Sequence, residues 1–222
     1  QLRVAPDNAE AELADGPATG NGIEEAHAGA CRLTVHKAGG PPPAVNPATV
    51  ATPMEFTAPG KVILFGEHAV VYGQPAIAVP LSELRARAWV EPTRDGAGLV
   101  IHARDLGQRL TLGGDPAHQF SVAAQAVLAR AGAPEPNATI NLESAIPSAA
   151  GMGSSAATST AICRALAAHL GAELSANTVS NIVFQAERVV HGTPSGIDNT
   201  VIAHEEPVWF ISGKLPRPFR SP

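Results

Sequence analysis

Lys61 stands directly after a Pro-Gly pair and opens an apolar run, KVILF, that ends in Gly66, Glu67 and His68. A lysine at the head of an extended segment can hold its amine at a defined place. An acid and an imidazole crowded between glycines where that segment ends can meet a polar ligand. A second group is the stretch SAAGMGSSAATS, residues 148–159. There Gly151 and Gly153 let backbone N–H groups approach phosphate oxygens with no Cβ in the way. Ser154 and Ser155 add hydroxyls that can bind phosphate, or a metal held by phosphate, and the free N–H groups of a helix starting there favour negative charge. Glu187 and Asp198, in FQAERVVHGTPSGIDNTV, complete the set with one carboxylate for a metal and another for a proton. Each group also has a purely structural reading. A serine after a glycine turn is a common N-cap, a lone glutamate on a helix is ordinarily solvated, and an aspartate before asparagine is ordinarily a turn residue.

GMGSSA formally fits the G-x-G-x-x-G/A dinucleotide fingerprint, with Glu173 about twenty residues beyond Gly153. The surroundings argue against it. That fingerprint follows a buried strand directly, whereas ESAIPSAA intervenes here, and Glu173 falls in a connection between helices rather than at the end of a parallel strand. Nor is this a Walker A loop, because no G-K-[ST] closes it.

These residues need elements to carry them. EFTAPGKVILFG reads as two short extended runs flanking Pro59-Gly60, and QPAIAVPL and RARAWVEP as two strands, the latter with Ala86, Ala88 and Val90 on one face. GLVIHA, QRLTL and ATINLES continue the β pattern. Helices are predicted over His118 to Ala131, Ser154 to Leu170 and Thr178 to Val190. In the last, Val179, Ile182, Val183, Ala186 and Val190 recur at helical spacing, with Gly192 as the stop. NTVIA and PVWFI read as two final strands. Strands preceding a group of helices predict an α+β fold.

The chain has 222 residues, 45% hydrophobic, with a net charge of -5 and 4% aromatics. This balance suits a globular domain and argues against a nucleic-acid surface or base-stacking platforms. Cys31 and Cys163 are the two cysteines, too few for a disulfide framework or zinc site. No apolar run is long enough for a membrane span, and none near the start resembles a signal peptide, so a reducing, cytoplasmic setting is expected. Residues 1–53, rich in Ala, Pro and Gly with no apolar period, read as a disordered or spurious leader. The regular domain is expected over residues 54–222.

The three functional stretches resemble, in the right order, the motifs of the GHMP kinases. APGKVILFGEHAVVYGQPAIAVPL resembles the N-terminal motif, IPSAAGMGSSAATS the phosphate loop, and HGTPSGIDN the segment bearing the catalytic aspartate in the branch that phosphorylates mevalonate. The resemblance spans about residues 55–212. It implies an N-terminal domain of the ribosomal-protein-S5-domain-2-like type and ATP- and Mg2+-dependent phosphorylation of the primary hydroxyl of mevalonate, an isoprenoid-precursor step. It further implies that Asp198 is the catalytic base, with Lys61 beside it. Ala150, Gly151, Met152, Gly153, Ser154, Ser155 and Ala156 would wrap the ATP phosphates, Ser155 and Glu187 would hold the magnesium, and Glu67, His68, Lys61 and Asp198 would face the substrate. The alternatives are another small-molecule kinase of the family, acting on phosphomevalonate, homoserine or a sugar, and a non-catalytic nucleotide-binding fragment. Ala149 replaces the first glycine often seen in the loop, and Phe65 a frequent histidine. The family's third glycine-rich motif, in a C-terminal subdomain, has no counterpart, so the expectation is a truncated kinase whose full-length parent could be a homodimer.

Overall fold

The computed structural model describes residues 53–94 and 96–219, so the expectation for a leader at the N-terminus falls outside the described residues. The ordered chain runs β1 (Phe56–Phe65), β2 (Ala76–Pro92), β3 (Leu99–Ala103), β4 (Gln108–Thr111), α1 (Gln119–Ala131), β5 (Ala138–Ser144), α2 (Ser154–His169), α3 (Ala176–His191), α4 (Ile197–His204), β6 (Val208–Phe210) and β7 (Arg217–Pro218). A mixed sheet in the order β4-β3-β5-β2-β6-β7, with β1 also paired to β2, is covered by helices, which is the expected α+β class. All pairings are antiparallel except β3 with β5, which the β4–α1 crossover makes parallel.

β2 is one 17-residue strand where two short ones are expected from the sequence. It is long because it serves several neighbours: its start pairs with β6, its end with β5, and β1 runs along most of it. β1 is likewise continuous, but its register slips between Pro59 and Gly60. At that slip the backbone N–H of Lys61 donates to the carbonyl of Met152 at 2.9 Å, so the glycine loop is tied to the strand that carries the lysine.

NTVIA is not a strand; it forms the body of α4. Short apolar runs do not distinguish the two states by periodicity. Here Gly196, at φ 88°, starts the helix, the Thr200 hydroxyl donates back to the Gly196 carbonyl, and Ile197 and Val201 bury at helical spacing. The predicted α1 and α2 form as expected, with His118 capping the first, and α3 begins two residues early behind Ser175.

α2 is the central helix, packed on β1, β2 and β5 and against the other three helices. Ala156, Ala157, Ala161 and Ala165 are all buried, and their small side chains permit that close approach. Leu99, Ile101, Ile140, Ile162 and Leu166 fill the main core, while Ile197, Val201, Val208 and Phe210 form a smaller cluster beneath α4 and β6.

Candidate active site

Four elements bring the sequence-predicted residues together. Lys61 lies on β1 and Ser155 in the first turn of α2. Glu187 comes from late in α3 and Asp198 from the first turn of α4. The Lys61 ammonium reaches Asp198 Oδ1 at 2.9 Å, with side-chain exposures of 7% and 30%: the amine is enclosed while the carboxylate keeps an open side.

The glycine loop is shaped by the same lysine. Gly153, at φ 71°, caps α2, and a Cβ there would sit 2.8 Å from Ile202 Cδ1 and 3.0 Å from Lys61 Cγ. Only glycine lets the loop cross so close above the lysine stem. Gly151 also has a left-handed φ, but a Cβ on it would meet no protein atom within 4 Å, so it faces open space. Ala149 takes a positive φ of 58°, the conformation a glycine would hold without strain. Ala150, Met152 and Ser154 join these glycines, Glu187, His191 and Asp198 around a cavity of about 140 Å³. Ala156 is buried in α2 behind the loop. A larger, mainly apolar cavity of about 370 Å³ adjoins it, sharing Ala149, Ser154, Ser155 and His191 and floored by Phe120, Leu142 and Ile146.

Ser155 Oγ lies 2.6 Å from Glu187 Oε1 and 2.5 Å from Gln119 Oε1. One hydroxyl proton serves one acceptor, so the other contact needs a proton on the partner. That proton sits either on the Glu187 carboxyl or on a Gln119 amide turned to present its NH2. Burial pushes the Glu187 carboxyl above its ordinary range, and the nearby Asp198 charge adds to this. The Ser155 hydrogen bond, His191 and Lys61 pull the other way without cancelling it. His191 Nε2 stands 3.4 Å from the other Glu187 oxygen.

The chemistry of this donor set suits magnesium. Ser155 and Glu187 offer hard oxygens side by side, and no cluster of three or more His, Cys, Asp or Glu among the described residues could hold a metal alone. Magnesium is commonly bound in this manner, through one or two protein ligands plus phosphate oxygens and water.

Glu67 and His68 fall elsewhere. Both are exposed in the turn after β1, and no described contact joins their side chains to Lys61 or Asp198. Gln119 and His191 are site residues that the sequence reading does not include. His191 had a usable signal, one helical turn beyond Glu187; Gln119 had none, since only tertiary packing brings α1 to Ser155.

Comparison with known proteins follows the same lines. Residues 118–205 match the model for the GHMP kinases N terminal domain. The mevalonate kinase of Thermococcus gammatolerans is 37% identical over 180 residues, 73% of this chain and 53% of the relative. That of Thermococcus onnurineus is 39% identical over 163 residues, covering 66% and 48%. The crystal structure of the Methanococcus jannaschii mevalonate kinase superposes with a TM-score of 0.69 at 25% identity, over 78% of this chain and 57% of that one. The chain thus spans about half the length of the curated relatives it matches.

Proposed function

We propose that this chain, a member of the GHMP kinases similar to the N-terminal part of mevalonate kinases, carries the phosphoryl-transfer centre of an enzyme that moves the terminal phosphate of ATP to the primary hydroxyl of mevalonate. The observation that carries this reading is the Lys61–Asp198 pair, held at 2.9 Å beside the cavity that the glycine loop, Ser155 and Glu187 enclose.

In this reading the open side of Asp198 accepts the proton of the substrate hydroxyl as that oxygen bonds to phosphorus, and ADP departs as the bond to the old bridging oxygen breaks. Lys61 pairs with Asp198 beforehand and balances charge on the transferring group afterwards. The N–H groups of the loop and of the first turn of α2 receive the phosphates, and the apolar cavity alongside accommodates the base. Ser155 and Glu187 would hold the magnesium, which when bound draws negative charge off the phosphate oxygens. Most of the catalysis is alignment and electrostatics, because phosphoryl transfer leaves the protein little covalent work. Glu67 and His68, exposed in the turn after the lysine-bearing strand and apart from the Lys61–Asp198 pair, are placed on the mevalonate side by the family motif alone.

The test is ADP release coupled to product detection by mass spectrometry, with ATP, magnesium and mevalonate. Phosphomevalonate, homoserine and galactose serve as competing substrates. Since the chain spans about half of its relatives, the assay is run on it alone and on it mixed with the C-terminal half of the Thermococcus gammatolerans enzyme. Mevalonate-dependent product that disappears in Asp198→Asn supports the reading. Preference for another alcohol, or turnover indifferent to Asp198, overturns it.

A further inference from the structure

Arg164 lies on α2 nine residues beyond Ser155, about 13 Å further along the helix axis. Its Nη1 donates to the Thr57 carbonyl at 2.6 Å and to Glu205 Oε1 at 2.5 Å, and its Nη2 donates to the Ala203 carbonyl at 3.0 Å. Those three acceptors belong to β1 and to the C-terminal end of α4. The other Glu205 oxygen accepts from Arg85 Nη2 at 2.8 Å, and Arg85 Nε donates to the Thr57 hydroxyl at 2.9 Å, closing a ring of contacts with β2. One guanidinium therefore joins the strand that carries Lys61, the helix that carries Ser155 and the helix that carries Asp198.

We propose that Arg164, with Glu205 as its partner, is a positioning residue that sets the place of Asp198 against Lys61. The proposal rests on the reading of those two residues as the reacting pair. α4 spans only Ile197–His204, and its buried face packs on α3, α2 and β1. Packing of that face leaves the helix's tilt and its position along its axis to the contacts at its ends. Asp198 stands at one end and Glu205 caps the other, and a helix is stiff over that length, so the grip on the cap adjusts the base. Glu205 sits at φ 55°, a backbone state that non-glycine residues adopt at a cost, and the two arginines hold it there. Arg164 also satisfies the Ala203 carbonyl, one of those a helix end leaves without a partner. Lysine has no planar fork with which to reach three acceptors, so the contact set is specific to arginine.

Two readouts test this, one independent of turnover. The first is kcat and KM for Arg164→Met, Arg164→Lys and Glu205→Gln. Arg87→Met is the control, since its side chain pairs with Glu143, joining β2 to β5, while only its backbone pairs with β1. The second is the acylation rate of Lys61 relative to exposed Lys214 on the chain alone, at a temperature where circular dichroism shows each variant folded. Arg164→Met is expected to lower kcat by about 100-fold, the scale of a 1 Å misplacement, with KM for ATP little changed. It should also raise Lys61 labelling several-fold as the Asp198 contact loosens, with Arg164→Lys intermediate and Arg87→Met like the parent. Parental kcat and parental Lys61 protection in folded Arg164→Met overturn the proposal, as does an equal effect from Arg87→Met. If Arg164→Met does not fold, Glu205→Gln carries the same two outcomes. If the parent phosphorylates nothing in either assay arm, the functional reading fails, and Lys61 labelling alone decides the positioning role.

Discussion

Asp198 and Glu187 are both carboxylates lining one cavity, yet their surroundings prepare them for different work. Asp198 is open on one side and paired with an ammonium on the other, so it is reachable for the proton transfer proposed above. Asp198→Asn is therefore expected to lower kcat by at least ~100-fold, the scale of a lost general base, with a far smaller change in KM. Glu187 is buried and its carboxyl is harder to ionise than usual. A raised folded value means that its contribution to stability is complete at acid pH and is lost as the pH rises through the titration. Glu187→Gln should then raise the metal-free unfolding midpoint at pH 7.5 and leave it nearly unchanged at pH 4, as thermal scans can record. The same substitution, like Ser155→Ala, should raise the magnesium concentration needed for half-maximal activity. A fall in stability with unaltered magnesium dependence would reduce both residues to structural parts.

At the scale of elements, the glycine loop and α4 each contain a non-glycine residue in the left-handed region: Ala149 and Glu205. Ala149 is exposed, so nothing but the turn itself holds it. Ala149→Gly is expected to stabilise the chain by about 0.5–1 kcal/mol, the left-handed penalty less the extra entropy of glycine when unfolded. Gly153→Ala should do the opposite and more strongly, because its Cβ would strike Ile202 and the Lys61 stem as well as strain the backbone. Denaturant midpoints measured side by side check both signs. Glu205 differs in being gripped. Burial alone would raise its carboxyl, but the hydrogen bonds and charges of Arg85 and Arg164 outweigh that and hold it below the ordinary carboxylate range. Its stabilising contribution is present above the unfolded value and drains away as the pH falls through the folded one. The Tm difference between the parent and Glu205→Gln should accordingly be large at neutral pH and shrink in acid.

Among the described residues, the helices cover the sheet while β1 pairs on one side only, with β2. Leu64, Phe65, Val71 and Tyr72, at the end of that strand and in the turn after it, are 51%, 69%, 66% and 83% exposed. Apolar groups gathered at a strand of this kind favour association with another surface. Sedimentation velocity over a range of concentrations should show the purified chain self-associating, and Phe65→Ser with Tyr72→Ser should return it towards monomer without loss of helical signal. No helix among the described residues is long and apolar enough to cross a membrane.

The candidate residues of the site were legible in the sequence because their pattern rests on residue types at short range. Glycines beside paired serines, a lysine behind Pro-Gly and two carboxylates flanking a Pro-Ser-Gly turn are local facts, and they point to Lys61, Gly151, Gly153, Ser155, Glu187 and Asp198. α3 was legible for the same reason, through its 3.6-residue apolar period and its Gly192 stop, and α1 and α2 form where they were expected. The continuity of β2 was not, since a strand's length is decided by the neighbours that satisfy its edges. Nor was α4 in NTVIA, where a few apolar residues suit either state and burial against β6 and α3 chose the helix. Tertiary structure alone brought Gln119 to Ser155 and closed Arg164 on Thr57, Ala203 and Glu205, and it joined Lys61 to Asp198 as the family resemblance implied. Each of those contacts joins residues far apart in the chain, and local propensity carries no information about which distant groups will share a buried space.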